Sequence, residues 1–307
     1  MSHAHPQTRQ SLSGNVKGAI AFVGGTASLI INDTLVKIAG TGLPLGQLIF
    51  VRGLFAVAFV YAVVIYSGLG KQMGQMKQPI VISRSVVNMF AMFAYISTLL
   101  NMPIANVSAI MQTVPLALTA AAAIVLGEQV GIRRWMAIIV GLAGVLLVVK
   151  PGAGDFNIYV LTASAAVFLV TLRDLLTRMT KSDVPSLIIT LATAIAVTVG
   201  SGVLTLFEDW QPMTAGTVLT LAAAAAFLML GLHLIVVAVR AGELSVIAPF
   251  RYFFIIWALL AGYLVWGEFP DSYAISGIVL ITVAGAYTMW RETRVRGRAR
   301  RPGFRHH

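Results

Sequence analysis

Residues 125–129 read VLGEQ and residues 265–269 read VWGEF, an offset of 140. Each stretch closes a long apolar run, and other echoes keep nearly the same spacing. AGV at 143–145 returns as AGA at 284–286, offset 141, and TAS at 26–28 returns at 162–164, offset 136. One such match means little in a chain rich in alanine and glycine. In order and at an almost constant offset, they describe a duplication.

Composition says where the duplicated chain lives. Of its 307 residues, 58% are hydrophobic and 11% charged, against roughly 25% charged in a soluble domain. The mean hydropathy is +0.87. These values exclude a soluble globular protein. Cysteine is absent, which removes disulfides and thiolate metal sites. A helix crosses a bilayer with about 20 apolar residues, and a span in lipid must satisfy its own backbone as a helix or closed barrel. Barrel strands alternate over about 10 residues. The runs here are unbroken and longer, so they are helices.

The pattern predicts ten spans. The first five cover about 16–38, 43–67, 80–100, 103–126 and 131–150; the second five cover about 157–177, 185–207, 214–239, 244–266 and 272–290. The run 80–126 divides at Asn101-Met102-Pro103. The predicted class is an all-α integral membrane protein with ten transmembrane helices in two inverted five-helix repeats, 16–150 and 151–290. A short tail (1–15) precedes them and a basic tail (291–307) follows. Five is odd, so the second repeat enters the membrane upside down. Inverted repeats are the architecture of secondary carriers, whose two bundles rock about a shared site.

Lysine and arginine set the orientation. With the N-terminus inside, Arg9, Lys17, Lys71, Lys77, Arg133, Arg134, Arg178, Lys181, Arg240 and seven tail arginines share one face. Lys150 and at most Lys37 lie on the other. Both termini are therefore expected in the cytoplasm. The first span contains Asn32 and Asp33 and is longer than a signal-peptide core, so it is read as retained. The net charge of +11 becomes a topology signal that touches anionic membrane lipids, with no nucleic-acid partner implied.

The Gly-Glu pairs closing the fourth and ninth spans, and a basic residue ending the first helix of each half, resemble the drug/metabolite transporter superfamily, in particular its ten-helix EamA-type members. The resemblance covers about 16–290. It implies two inverted repeats around a central cavity and transport of a small organic metabolite. NDTLVK (32–37) and QLIFVRG (47–53) are similar to a branch holding bacterial riboflavin importers and S-adenosylmethionine carriers, which implies a bacterial inner-membrane location.

Charged groups inside a span cost about 2.5–3.5 kcal/mol each and are functional candidates by default. Asp33 and Lys37 are four apart and share a helix face, either neutralising each other or, with Asn32, lining a cavity. Arg52, inside the second span, is placed to pair with Asp33 or to meet substrate. Asn88 lies one turn from Arg84 on the third span. Gln112 sits beside Thr113 and Pro115, and a proline there opens the helix. In the second half, His233 lies deep in the eighth span and Arg251 belongs to PFRYFF (249–254). Offset 140 sets Tyr252 opposite Gln112, the pairing expected of a pseudo-symmetric site. Tyr252 and Trp257 offer aromatic faces for a flat ring. Arg173 and Asp174 are adjacent, so they do not share a face, and are read as solvated at the end of the sixth span. Glu128 and Glu268 are read as helix-capping groups or gates.

Direct ATP coupling needs a P-loop, and none is present. His-Glu-x-x-His and Gly-x-Ser-x-Gly are also missing, and four of the five histidines lie at the termini (His3, His5, His306, His307). Neither a metal nor a cofactor is expected. An intramembrane enzyme is the remote alternative. The expected function is secondary transport of a small molecule, with no obligatory protein partner. Riboflavin or a related vitamin is the first substrate; an S-adenosylmethionine carrier and an exporter of amino acids or drug-like metabolites are the alternatives.

Overall fold

A computed structural model describes residues 12–128, 130–149, 158–179, 184–241 and 247–299. The expected N-terminal segment through residue 11, Lys150, Lys181, the start of the ninth predicted span at 244–246 and the last basic residues from 300 lie outside the described residues. Among those described, every regular element is helical. The helices are α1 (Leu12–Ala39), α2 (Leu45–Tyr66), α3 (Pro79–Asn101), α4 (Ile104–Met111), α5 (Val114–Val125), α6 (Ile132–Val149), α7 (Ile158–Met179), α8 (Ser186–Leu204), α9 (Ala215–Ala241), α10 (Phe253–Trp266) and α11 (Ser272–Ala299). Eight segments are long and apolar enough to cross a membrane, with α4 and α5 counting as one, Ile104–Val125. Two shorter apolar helices, Phe250–Trp266 and Ser272–Thr288, follow. The chain is a multi-pass membrane protein.

The division at Asn101-Met102-Pro103 is a helix end: Met102 is extended and Pro103 opens α4. Two spans are interrupted internally. Helix α4 stops at Met111 and α5 starts at Val114, with Pro115 in its first turn. A 3-10 turn, Ala248–Tyr252, likewise leads into α10. Both interruptions free backbone groups at membrane depth, which is tolerated where the backbone is buried in protein or lines a cavity.

The Gly-Glu repeat has a backbone explanation. Gly127 and Gly267 adopt left-handed φ values of 68° and 66°, where a Cβ is strained. The following amides then fold back, Glu128 N–H donating to Ala122 O (3.3 Å) and Glu268 N–H to Gly262 O (3.0 Å). Each bond joins residues six positions apart, and the left-handed glycine turns the backbone over the helix end so that it can form.

Packing pairs each helix of one half with helices of the other. The most extensive contacts join α1 to α9, α3 to α7, α2 to α8 and α6 to α11; α1 also meets α10, α5 meets α7, and α4 meets α10. Lipid gives no hydrophobic drive for helices to associate, so close approach through small residues does the work. Gly144 and Gly277 stand back to back, and a Cβ on Gly144 would meet Gly277 O at 2.8 Å. Gly25 and Gly231 meet similarly between α1 and α9, the Cβ of one facing the carbonyl of the other at 3.1 and 3.0 Å. Gly277→Val is expected to destabilise by about 1–3 kcal/mol, the usual range for overpacking, read as a lower melting temperature of purified protein in detergent. At one end of the bundle, the Glu208 carboxylate accepts from Gly46 N–H (3.0 and 2.9 Å) and Gln47 N–H (3.3 Å). It thereby caps α2 from the α8–α9 connection, where the helix dipole favours an anion.

Candidate functional site

The buried charged and amide residues of the first half, Gln47 at the α2 cap apart, fall into three groups. Asn32 and Asp33 on α1 are 3% and 5% exposed, and Arg52 on α2 is 5% exposed. Asn32 Nδ2 donates to Asp33 Oδ1 (2.9 Å), and the Tyr95 hydroxyl on α3 donates to Asp33 Oδ2. Arg52 reaches the carboxylate through the amide, donating from Nη1 to Asn32 Oδ1 (3.4 Å), and touches Met92 Sδ (3.6 Å). The expected link between α1 and α2 exists, with Asn32 interposed. The cluster is compact and closed, a polar tie among α1, α2 and α3.

Lys37 does not pair with Asp33. One turn further along α1, its ammonium donates to Met102 O (2.7 Å), lies 3.6 Å from Glu268 Oε1 and sits 4.8 Å above the Trp266 ring. This second group joins α1, the α3–α4 junction and the end of α10. Buried backbone carbonyl, carboxylate and aromatic face together compensate an ammonium that would otherwise be expensive in the membrane.

The third group surrounds a cavity of about 320 Å³ between the halves. Gln112, at the α4–α5 break, exchanges two bonds with Arg251: Gln112 Nε2 donates to Arg251 O (3.1 Å) and Arg251 Nε donates to Gln112 Oε1 (3.1 Å). The break that frees the backbone thus brings the two discontinuous spans together. Across the cavity, Arg173 on α7 holds Asp174 Oδ1 with Nε (2.9 Å) and Nη2 (2.7 Å), and Nη1 donates to Asn88 Oδ1 on α3 (3.0 Å). Arg84 extends this tie through Thr177 (2.7 Å) and Thr193 (2.9 Å). Phe22 and Thr26 of α1 and Phe254 of α10 complete the wall. The cavity therefore presents two guanidinium groups, one carboxylate, an amide and aromatic faces. That set suits a ligand carrying both an acidic and a basic group.

Of the sequence candidates, Gln112, Arg251 and, through Arg173, Asn88 come together here. Trp257 packs nearby and donates from Nε1 to Val23 O of α1 (3.2 Å), while Tyr252 lies against Gly285 of α11. His233 is not brought to this group; its side chain is exposed on α9. Arg173 and Asp174, read from the sequence as solvated, line the cavity instead. The signal for them was present: Asp33 and Asp174 are 141 apart, the offset of the other repeats, whereas the alignment on TAS sets Arg173 against Lys37.

Residues 16–150 match the EamA-like transporter family. An S-adenosylmethionine uptake transporter of Rickettsia bellii is 26% identical over 274 residues, spanning 88% of this chain and 92% of that protein. The pseudopaline exporter CntI of Pseudomonas aeruginosa is 24% identical over 87% of this chain and 94% of its own length. A riboflavin transporter of Vibrio cholerae is 28% identical over 197 residues, 63% of this chain and 65% of that protein. One crystal structure shares the fold, with a TM-score of 0.62 at 17% identity over 90% of this chain and 98% of its own. All three named relatives are transporters by name, and residues 16–150 of this chain resemble the EamA-like transporter family.

Proposed function

We propose that the protein is a secondary, alternating-access carrier that moves an amphoteric small organic metabolite across the inner membrane, with ten spans in two inverted repeats and both termini cytoplasmic. The observation that carries the reading is the cavity in which Arg251 and the Arg173–Asp174 pair face a common space beside two broken spans. Half-helix ends and unwound backbone at a repeat interface are how such carriers hold charged substrates.

Several features support the repeats. The two shorter apolar helices bring the eight long segments to ten spans. Exchanging the first five spans with the second five carries the α1–α9 contact onto α7–α3, and the α5–α7 contact onto α10–α1. The α2–α8, α6–α11 and α4–α10 contacts map onto themselves. The left-handed glycines and the interrupted spans also fall at matching places. The lysine and arginine bias supports the orientation.

Opposite charges in the cavity favour a substrate with a carboxylate and an amino or sulfonium group. That places S-adenosylmethionine-like compounds ahead of riboflavin, which has no charged group at neutral pH. Riboflavin remains the second reading because Phe22 and Phe254 offer ring faces and the Vibrio relative carries it by name. The test is uptake of labelled S-adenosylmethionine into proteoliposomes, with unlabelled S-adenosylmethionine or riboflavin as competitor. Saturable uptake with countertransport, blocked by the first competitor alone, is expected. Uptake of labelled riboflavin only would replace the substrate class. Flux that does not saturate with either compound would overturn the carrier reading for this group of substrates.

A further inference from the structure

The largest cavity described does not belong to the substrate site. About 630 Å³ in volume, it lies between α5, α6 and α7 and is walled by Leu116, Ala121, Ile138, Leu142, Val167 and Phe168 among others. Its few hydroxyls are spent on their own helices: Thr113 donates to Ile110 O (2.6 Å), Ser164 to Val160 O (2.9 Å) and Thr171 to Val167 O (2.7 Å). A polar metabolite would find no partner there. The mouth opens sideways from the bundle, since Ile124, Leu142 and Phe168 are 75%, 58% and 67% exposed. Those side chains face the lipid.

The length and ends of this groove identify its occupant. Along α5 it runs from Thr113 to Val125, about 18 Å at 1.5 Å per residue. That matches one leaflet of a hydrocarbon core about 30 Å thick. One end is the turn between α5 and α6. Arg133 and Arg134 stand there in the first turn of α6, four to five residues before Ile138. Neither has an ion-pair partner among the described residues. Trp135 follows them, and tryptophan is the residue that settles at the headgroup level.

We propose that this groove is a binding site for one phospholipid with an anionic headgroup, its acyl chain lying between α5, α6 and α7 and its phosphate held by Arg133 and Arg134. The apolar walls supply the chain site, and the two uncompensated cations supply the headgroup preference. Because α5 is one half of an interrupted span, a chain seated against it fills the space beside that half. The proposal does not depend on which substrate the central cavity carries.

The test is native mass spectrometry of the full-length protein in detergent, titrated with phosphatidylglycerol or phosphatidylcholine of identical chains. Phosphatidylglycerol is expected to bind preferentially, and the Arg133→Gln/Arg134→Gln variant to bind it about 30-fold more weakly, as two arginines at an anionic surface imply. Phosphatidylcholine binding should change little in that variant. Ala121→Leu, which narrows the groove, is expected to weaken both lipids alike. Glycerol phosphate without chains should not displace the bound lipid. Equal affinity for both headgroups in the native protein, an unchanged preference in the double arginine variant, or displacement by glycerol phosphate would each overturn the proposal. The last result would identify a simple anion site at the arginines.

Discussion

Arg251→Ala is expected to lower saturable uptake at least about 30-fold with the protein still inserted and folded, the loss that follows removal of one partner from a buried charged contact. Two effects add in this substitution. The cavity loses a cation that would face the acidic group of the substrate. It also loses the Nε donor that holds Gln112 at the α4–α5 break (3.1 Å), leaving the amide oxygen without its partner. Two further variants separate these effects. Gln112→Ala removes the tie and keeps the charge; Arg251→Lys keeps the charge without the planar fork. If binding to the guanidinium dominates, Gln112→Ala keeps most activity and Arg251→Lys raises KM. If positioning of the break dominates, the two alanine variants lose activity equally. Normal uptake in well-expressed Arg251→Ala protein would remove this cavity as the substrate site. Asp174→Asn supplies the complementary test, since it should discriminate against substrates bearing an amino group more than against neutral ones.

Lys37 and Glu268 carry the second large effect. Their contact (3.6 Å) joins α1 of the first half to the end of α10 in the second. It is strengthened by the Met102 carbonyl (2.7 Å) and the Trp266 ring. Glu268→Lys sets two ammonium groups against each other in a half-buried place, where like charges cost several kcal/mol (roughly 3 or more). Transport is expected to fall at least about tenfold. Lys37→Glu should do the same, with the further loss of the donor to Met102 O. The exchanged double variant, Lys37→Glu/Glu268→Lys, should regain part of the activity, because the pair is restored while the carbonyl loses its ammonium. The coupling is read from the double-mutant cycle, together with the accessibility of a cysteine placed at Asn106 to a membrane-impermeant reagent. A strictly additive cycle would show that the ion pair does not act as a latch between the halves.

Which parts of this were visible in the sequence follows from how local each cause is. The spans could be read because a helix in lipid satisfies its backbone within itself, so twenty apolar residues announce it without reference to the rest of the chain. The VLGE and VWGE repeats could be read as repeats, yet their cause was not visible. They recur because a left-handed glycine and a returning amide end each helix, whereas the sequence reading had looked to the glutamate side chains. Pro115 announced the interruption beside Gln112, since the effect of proline is also local. The partner of Gln112 was suggested only by offset: position 252 was set opposite it, and the structure places the contact one residue earlier, at Arg251.

The charged residues were harder. Helical spacing puts Asp33 and Lys37 on one face, and that is true of the isolated helix. In the bundle, Asp33 is satisfied by Tyr95, 62 residues away, and Lys37 by Met102 and Glu268. Adjacent Arg173 and Asp174 cannot share a helix face, which argued for solvent, but the planar guanidinium fork reaches both its neighbour and Asn88 of another helix. His233, a polar residue deep in a span, was a candidate on that ground alone, and its side chain is exposed on α9.

By itself, then, the sequence determined that this is a multi-helix membrane chain and where most of its helices start, stop and break. It also limited the set of polar residues from which a site can be built. Only the tertiary structure decided which of those residues meet, separating a closed tie at Asp33, a contact between halves at Lys37 and an open cavity at Arg251 and Asp174. The physical reason is range. Backbone hydrogen bonding and hydropathy act over a few residues, while the compensation of a buried charge is set by whichever helix packing brings within about 3 Å.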